Sequence, residues 1–445
     1  MSNVVRPLSI MQKSALSCVK CAKCVPTCTI YSVNRDEVTA PRGYLDIVSA
    51  YAEGKLRIDE NFKDSIESCF LCTTCVTQCP MSLPIDVVIE RARVDIARQY
   101  GIPLYKKIAF FLLGNRKILN FIFSLGFYFS PCLFKAQNGH NKLRFSIPKL
   151  KEILGNRVIM PFQPRSFLQR YKGWLESFQS DSASVTQQRI GIYIGCLSNY
   201  NYVNVGVSLV KILQRLDVQV FIPSKQECCG APAFFSGDIR NTTRLIKKNL
   251  DYFATFLDEL DAILIPEATC ASMLKLDWSH ALEIESEVFG IDNTEYLKKL
   301  ELLTQKTFMA SEWLYKHTRI MKLLQDAPLW QDTENIITYH DPCHARKTLK
   351  VFQEPRQLLR NFTMVEMQGS NVCCGFGGVT IQSEKYHLAK HVGDNKAHNI
   401  AKSGAHIVSA ECSACRMQIN DSLVRNNVNV DFKHPLELIA QNLGL

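Results

Sequence analysis

The chain has 445 residues, 47% apolar and 21% charged, enough for roughly three domains with packed cores, which excludes a disordered tail or a disulfide-stapled miniprotein. Its 18 cysteines are too few for a small disulfide scaffold and many for an ordinary intracellular enzyme. The net charge of +10 is concentrated in residues 101–176, where 13 Lys/Arg face only Glu152 and Glu176; one localised basic stretch suits a docking surface and argues against a nucleic-acid binder.

The first sixteen residues hold only Arg6 and Lys13 and no apolar run before a small-residue cleavage site. A secretory signal is therefore not expected, and thiols in a reducing cytosol more often hold metal than pair as disulfides. Cys18, Cys21, Cys24 and Cys28 follow C-x2-C-x2-C-x3-C, and the spacing returns as Cys69, Cys72, Cys75 and Cys79 before Pro80. Three thiolates in one tight loop can occupy three irons of a cubane, while the fourth has turned away and reaches the neighbouring cluster. Cys18, Cys21, Cys24 and Cys79 are thus expected to bind one 4Fe–4S cluster, and Cys69, Cys72, Cys75 and Cys28 the other. A pair of zinc sites has no use for two copies of such a run. Thr29 stands where proline would follow Cys28, a local backbone difference only. The stretch between the runs, 45–51 included, reads as helical, so residues 1–100 are expected to form a helical ferredoxin rather than a β-rich one.

Residues 101–188 read as a basic, apolar connector and linker. Within it, 118–134 has Asn120, Ser124 and Ser130 as its only polar members, and at 17 residues it is short of the ~20 that span a bilayer. Arg116, Asn120 and Ser124 recur every fourth residue as a polar stripe, whereas Phe121, Ile122, Leu125 and Phe129 point elsewhere. With Lys106, Lys107, Lys117 and Lys135 flanking it, the helix suits an anionic membrane surface, a partner subunit or the next domain. Cys132 reads as a buried, inert thiol. Residues 165–188, ending in a Ser-rich stretch at 179–184, read as a linker.

From here the chain repeats itself at an offset of about 145 residues. In 189–332, Cys196 follows an apolar run, then come Cys228-Cys229-Gly230 and Cys270. In 333–445, Cys343 is followed by Cys373-Cys374-Gly375, then Cys412 and Cys415. β-Branched runs at 190–194, 218–222 and 262–265, and again at 336–339, 406–409 and 428–432, alternate with helical stretches at 203–216, 241–260 and 384–402. Each half is therefore expected to be α/β, with the lead and final cysteines just past strand carboxyl ends. Adjacent thiols cannot form an unstrained disulfide but can serve two irons. The second repeat offers five thiolates (Cys343, Cys373, Cys374, Cys412, Cys415), one more than a cubane uses, and is expected to hold a third, atypical cluster. The first offers four (Cys196, Cys228, Cys229, Cys270), with Met273 in the place of Cys415, and could hold a further one. His340, His344 and His434 lie near the second set. His344 reads either as a proton carrier or spare ligand, or as a hydrogen-bonded structural group.

The expected fold is mixed: an α-helical two-cluster ferredoxin domain followed by a duplicated α/β Cys-Cys-Gly region. On these motifs the chain resembles the iron–sulfur subunits of flavin-linked dehydrogenases: the glycolate oxidase iron–sulfur subunit, the iron–sulfur C subunit of anaerobic glycerol-3-phosphate dehydrogenase and the lactate-utilisation iron–sulfur proteins. Its Cys-Cys-Gly module is similar to that of heterodisulfide reductase. Residues 195–201 and 227–232 lean to the glycerol-3-phosphate subunit, and 373–378 with 415–419 to the glycolate and lactate subunits. The resemblance implies an electron conduit from a flavoprotein dehydrogenase that oxidises a 2-hydroxy acid to a quinone or other membrane acceptor, cytoplasmic or peripheral at the inner membrane face. Gly375-Phe376-Gly377-Gly378 lacks the last glycine of a dinucleotide fingerprint. No base, nucleophile or carboxylate pair stands out for alcohol oxidation, so the chain alone is not expected to perform it. A catalytic reading, disulfide or quinone reduction at the five-thiolate set, stays open, as does a structural role for the clusters.

Overall fold

The computed structural model describes residues 10–137, 140–143, 157–158, 160–175, 188–330 and 335–445. The Ser-rich stretch at 179–184, the basic residues Arg144, Lys149 and Lys151, and the boundary expected at 332 lie outside them.

Among the described residues no strand precedes Phe134. The helices Ile10–Leu16, Pro41–Ala52, Glu60–Glu67 and Ile85–Tyr100 pack together through residues spaced three and four apart: Tyr44, Leu45 and Val48; Phe62 and Ile66; Ile85, Val88, Ile89 and Ala92. Local chemistry sets their ends. Pro41 opens the second helix, the Asp59 carboxylate accepts from Phe62 N at 2.8 Å to start the third, and Gly101 at φ 76° stops the fourth.

Two further helices, Leu104–Leu113 and Arg116–Leu133, meet at a bend of 102°, and no single described helix is long and apolar enough to cross a membrane. The polar stripe faces inward: Ser124 Oγ donates to Pro164 O at 3.1 Å and Asn120 Oδ1 accepts from Ser166 Oγ at 3.3 Å. The apolar face looks outward, with Leu104 73%, Phe121 68% and Tyr128 71% exposed, together with Ile108, Phe111, Ile122, Leu125 and Phe129. Two expectations are corrected here. Lys106 is no basic flank: it is 2% exposed, paired with Glu384 at 2.7 Å and donating to Thr380 Oγ1 at 2.9 Å. Cys132 is exposed rather than buried.

Strands β1 (Phe134–Gln137) and β2 (His140–Leu143) form an antiparallel hairpin. Strand β3 (Gly173–Leu175), in the stretch read as linker, instead pairs antiparallel with the next sheet, joining β4 (Arg189–Ile192), β5 (Gln219–Ile222), β6 (Ala262–Ile265) and β7 (Thr307–Met309) in the order β3-β5-β4-β6-β7. The last four are parallel. β6 is an apolar run buried at every residue, as a strand covered on both faces requires. The second repeat builds β8 (Ile337–Tyr339), β9 (Ile407–Ser409) and β10 (Asp431–Lys433) in parallel, ordered β10-β9-β8, with a further parallel bridge from Ile337 to Met364. Met364, β8, β9 and β10 thus repeat the order of β5, β4, β6 and β7. In both halves the chain leaves its first strand to one side and returns to the other, so a topological switch point lies at the carboxyl ends of β4 and β8.

The helical domain sits on both repeats. The buried Arg93 guanidinium donates to Phe235 O at 2.7 Å in the first repeat and to Cys69 O at 2.6 Å in its own domain. Ile30 and Phe70 pack with Cys373, Ile381 and Leu388 of the second.

Candidate metal centres

The two ferredoxin-type runs share one unusual backbone. Lys20 and Ala22 in the first, and Leu71 and Thr73 in the second, all adopt φ between 50° and 60°, at the same offsets from their cysteines. Left-handed conformations at non-glycine residues cost on the order of 1–3 kcal/mol each, and they curl each loop so that its thiols converge. Leu71 N donates to Cys69 Sγ at 3.4 Å as a result. Cys28 lies with Cys69, Cys72 and Cys75 around one cavity, walled by Tyr44, Ile85 and Ile89. The charged neighbours of Cys24 are Cys18, Cys79 and Cys21. Each group thus takes three cysteines from one run and the last from the other.

In the second repeat Cys343 lies beyond the end of β8 and Cys412 beyond β9, while Cys373 and Cys374 arrive on a loop turned by Gly375 at φ 94°. A side chain at Gly375 would meet Ala389 O at 2.9 Å, so only glycine holds that loop against the helix Tyr386–Lys402. Cys374 Sγ and Cys415 Sγ are 3.4 Å apart, Cys415 N donates to Cys412 Sγ at 3.4 Å, and Cys343 has Cys374 and Cys412 among its charged neighbours. The five thiols form one group, with Cys373, Cys374, Cys412 and Cys415 buried and Cys343 partly exposed. One imidazole nitrogen of His340 lies within 4.8 Å of the Cys374 and Cys415 sulfurs.

The first repeat gathers Cys196, Cys228, Cys229 and Cys270 as a chain of thiol–thiol contacts. Gly230 at φ 88° turns its Cys-Cys loop as Gly375 does. Met273, fully buried, stands where the second repeat has Cys415. Arg116, the first member of the polar stripe, reaches inward to become a charged neighbour of Cys196, Tyr200 and Glu227.

The repeats meet along their cysteine loops. Ala268 N donates to Glu411 O at 2.9 Å, the Glu267 carboxylate accepts from Ser413 N at 2.8 Å, and Thr269 Oγ1 lies 3.8 Å from Cys412 Sγ. Two of the singled-out histidines anchor this seam. His434 Nε2 donates to Pro266 O at 2.9 Å while its Nδ1 accepts from Leu436 N, and His344 Nδ1 meets Thr269 Oγ1 at 3.2 Å with its ring stacked on Phe235. Burial holds both at about 4, well below the usual imidazole range.

The ferredoxin-type set and the second repeat are in contact. Cys72 is within hydrogen-bonding reach of Cys373, and Thr73 Oγ1 lies 3.5 Å from Thr348 Oγ1. Lys347 spans the junction, its ammonium donating to Thr74 Oγ1 at 2.5 Å with Cys72, Cys343, Cys373 and Cys75 as charged neighbours. Sequence reasoning missed Lys347, Arg93 and the inward turn of Arg116. The one signal available was the duplication, which pairs Lys347 with Tyr200 and His340 with Tyr193 at the offset that pairs Cys343 with Cys196.

Thiol-rich donor sets of this kind fit iron–sulfur clusters. Burial pushes Cys28 up to about 11 and Cys69 up to about 12, and the contact with Cys373, followed by burial, pushes Cys72 up to about 12; in the first repeat contact with Cys229 and burial, opposed by contact with Cys196, raise Cys228 to about 12. Such thiols keep their protons unless a cation is there to hold the thiolates.

Comparison with known proteins agrees. Residues 14–83 match the 4Fe-4S dicluster domain, and residues 190–275 and 337–420 match the cysteine-rich domain twice. The chain is 24% identical over 442 residues to the "Probable glycolate oxidase iron-sulfur subunit" of Bacillus subtilis, covering 96% of this chain and 94% of that one. It is 25% identical to a subunit of the CoM/CoB fumarate reductase of Methanothermobacter marburgensis over 96% of this chain and 72% of the other. "Lactate utilization protein A" of Shouchella clausii is 27% identical over 56% of this chain and 98% of its own length. The chain is an iron–sulfur protein that joins a dicluster domain to a duplicated cysteine-rich domain.

Proposed function

We propose that this iron–sulfur protein is the electron-transfer subunit of a flavin-dependent 2-hydroxyacid dehydrogenase, with glycolate or lactate as the substrate oxidised by a partner flavoprotein and a quinone or another membrane acceptor as the destination. Cys18, Cys21, Cys24 and Cys79 would hold one 4Fe–4S cluster, and Cys69, Cys72, Cys75 and Cys28 the second. Cys343, Cys373, Cys374, Cys412 and Cys415 would hold a third, and Cys196, Cys228, Cys229 and Cys270 are the candidates for a fourth. Bound clusters supply one-electron carriers.

The observation that carries the reading is the contact of Cys72 with Cys373. It sets the Cys69–Cys75 site of the helical domain against the site of the second repeat, an arrangement a relay needs and a purely structural cluster does not. Burial of Cys373, Cys374, Cys412 and Cys415, each no more than 5% exposed, keeps water and bulky substrates from the second-repeat sulfurs and favours transfer over catalysis there. The outward apolar face of the helices Leu104–Leu113 and Arg116–Leu133 is what a lipid surface or a partner subunit would cover, which supports a membrane acceptor.

The test is anaerobic. The dithionite-reduced protein, freed of excess reductant, should be reoxidised by a short-chain quinone and should not reduce an organic disulfide. Disulfide turnover would replace the relay with a catalytic second-repeat site, and clusters that resist reduction at physiological potentials would make them structural.

A further inference from the structure

The proposed cluster of the second repeat has a donor that cysteine counting does not supply. His340 ends the run leaving β8 and is 1% exposed. Its Nδ1 lies 3.1 Å from Ser370 O. A carbonyl oxygen can only accept, so Nδ1 carries the ring proton and Nε2 is left with a bare lone pair. Among the described residues that Nε2 is buried without a hydrogen-bond partner. A backbone carbonyl fixing one ring nitrogen, with the ring set within 4.8 Å of two thiols, is how metal-ligating histidines are held.

We propose that His340 Nε2 is an iron ligand of the second-repeat cluster, making that centre a mixed thiolate–imidazole site. Once Cys374 and Cys415 are thiolates, neither sulfur has a proton to offer, so a lone pair beside them finds its partner in a metal ion. Lys396 is engaged elsewhere, donating to Gly369 O at 2.7 Å. The duplication supplies an independent comparison. The matching position in the first repeat is Tyr193, whose hydroxyl donates to Glu227 O at 2.8 Å, and the matching fifth cysteine is Met273. Both extra donors occur in the second repeat alone, the one whose Cys373 meets Cys72 of the dicluster domain. The inference rests on the cluster reading above and adds the ligand that distinguishes this centre from a cubane.

The experiment is pulsed EPR on the anaerobically purified full chain, prepared once with natural and once with 15N-labelled histidine, on the signal that disappears in Cys374→Ser. The expected result is a strongly coupled histidine nitrogen that changes with the isotope, is lost in His340→Gln and persists in His344→Gln. Should His340→Gln shed the cluster, His340→Cys is expected to retain it, by iron content, with the nitrogen coupling gone. A second-repeat signal lacking histidine nitrogen, or coupling that survives in His340→Cys, overturns the ligand assignment and leaves the cluster in place. About eight irons, with no signal beyond two cubanes, would instead overturn the cluster reading itself.

Discussion

Replacing Lys347 with methionine removes one positive charge from the junction of two proposed carriers while keeping the length of the side chain. The ammonium donates to Thr74 Oγ1 at 2.5 Å, and that hydroxyl lies 3.3 Å from Cys72 Sγ, which puts the charge within about 6 Å of the sulfur. An added electron spreads over a cluster whose centre is farther still, near 8 Å by rough reckoning, and at an effective dielectric of about 20 the attraction is about 2 kcal/mol. With about 59 mV for each 1.4 kcal/mol in a one-electron couple, and allowance for solvent screening, the Lys347→Met potential should fall by roughly 40–80 mV. The sign follows from charge: reduction makes the site more negative, and losing a nearby cation disfavours it. Both the Cys69–Cys75 centre and the second-repeat centre should move, because Lys347 has sulfurs of both as neighbours, while the first-run centre stays. EPR-monitored redox titration of wild type, Lys347→Met and Lys347→Arg is the assay, with arginine expected to retain most of the potential. A shift under about 10 mV at both centres, or an equal shift in the arginine variant, would refute the electrostatic reasoning.

The remaining predictions concern other links. Cys79→Ser should damage the centre formed mainly by Cys18, Cys21 and Cys24 and spare the other cubane signal; the reverse pattern would sink the crossed assignment. Arg93→Met strands the carbonyls of Phe235 and Cys69 and should cost about 3–5 kcal/mol in urea unfolding, with faster proteolytic separation of the helical domain from the repeats; an unchanged midpoint would show that the clamp contributes little. Phe121→Glu with Phe129→Glu should abolish co-flotation with anionic vesicles, since each buried phenylalanine contributes roughly 2 kcal/mol; flotation surviving the double change would assign the apolar face to a protein partner. Asp277 is buried beside Asp86 and pushed up to about 7 by desolvation and then by that charge. A carboxyl raised on folding binds its proton more tightly in the native state, so its contribution is present at acid pH and lost as pH rises from about 4 through 7. Asp277→Asn should flatten the unfolding midpoint across that window, and an unaltered pH profile would place the proton elsewhere.

Spacing within the chain determined a good deal. Eight cysteines on one repeated rule are enough to propose which thiols a pair of cubanes would use, because a three-residue spacing brings sulfurs to one loop whatever surrounds it. The duplicated Cys-Cys-Gly pattern likewise foretold two α/β halves, since β-branched runs and helical periodicity are local properties. The edge strand Gly173–Leu175 escaped notice because three residues carry no periodicity, and it exists only by pairing with β5. Side chains whose roles depend on what the fold sets beside them were not legible. Lys106 and Arg116 look like surface charges in a basic stretch, yet packing turns one onto Glu384 and the other toward Cys196. His340 is one histidine among three until the carbonyl of Ser370 fixes its proton. The meeting of Cys72 with Cys373 joins residues some 300 positions apart. Local sequence carries the geometry of a loop, whereas which loops touch is set by the burial of apolar faces, and that is a property of the whole chain.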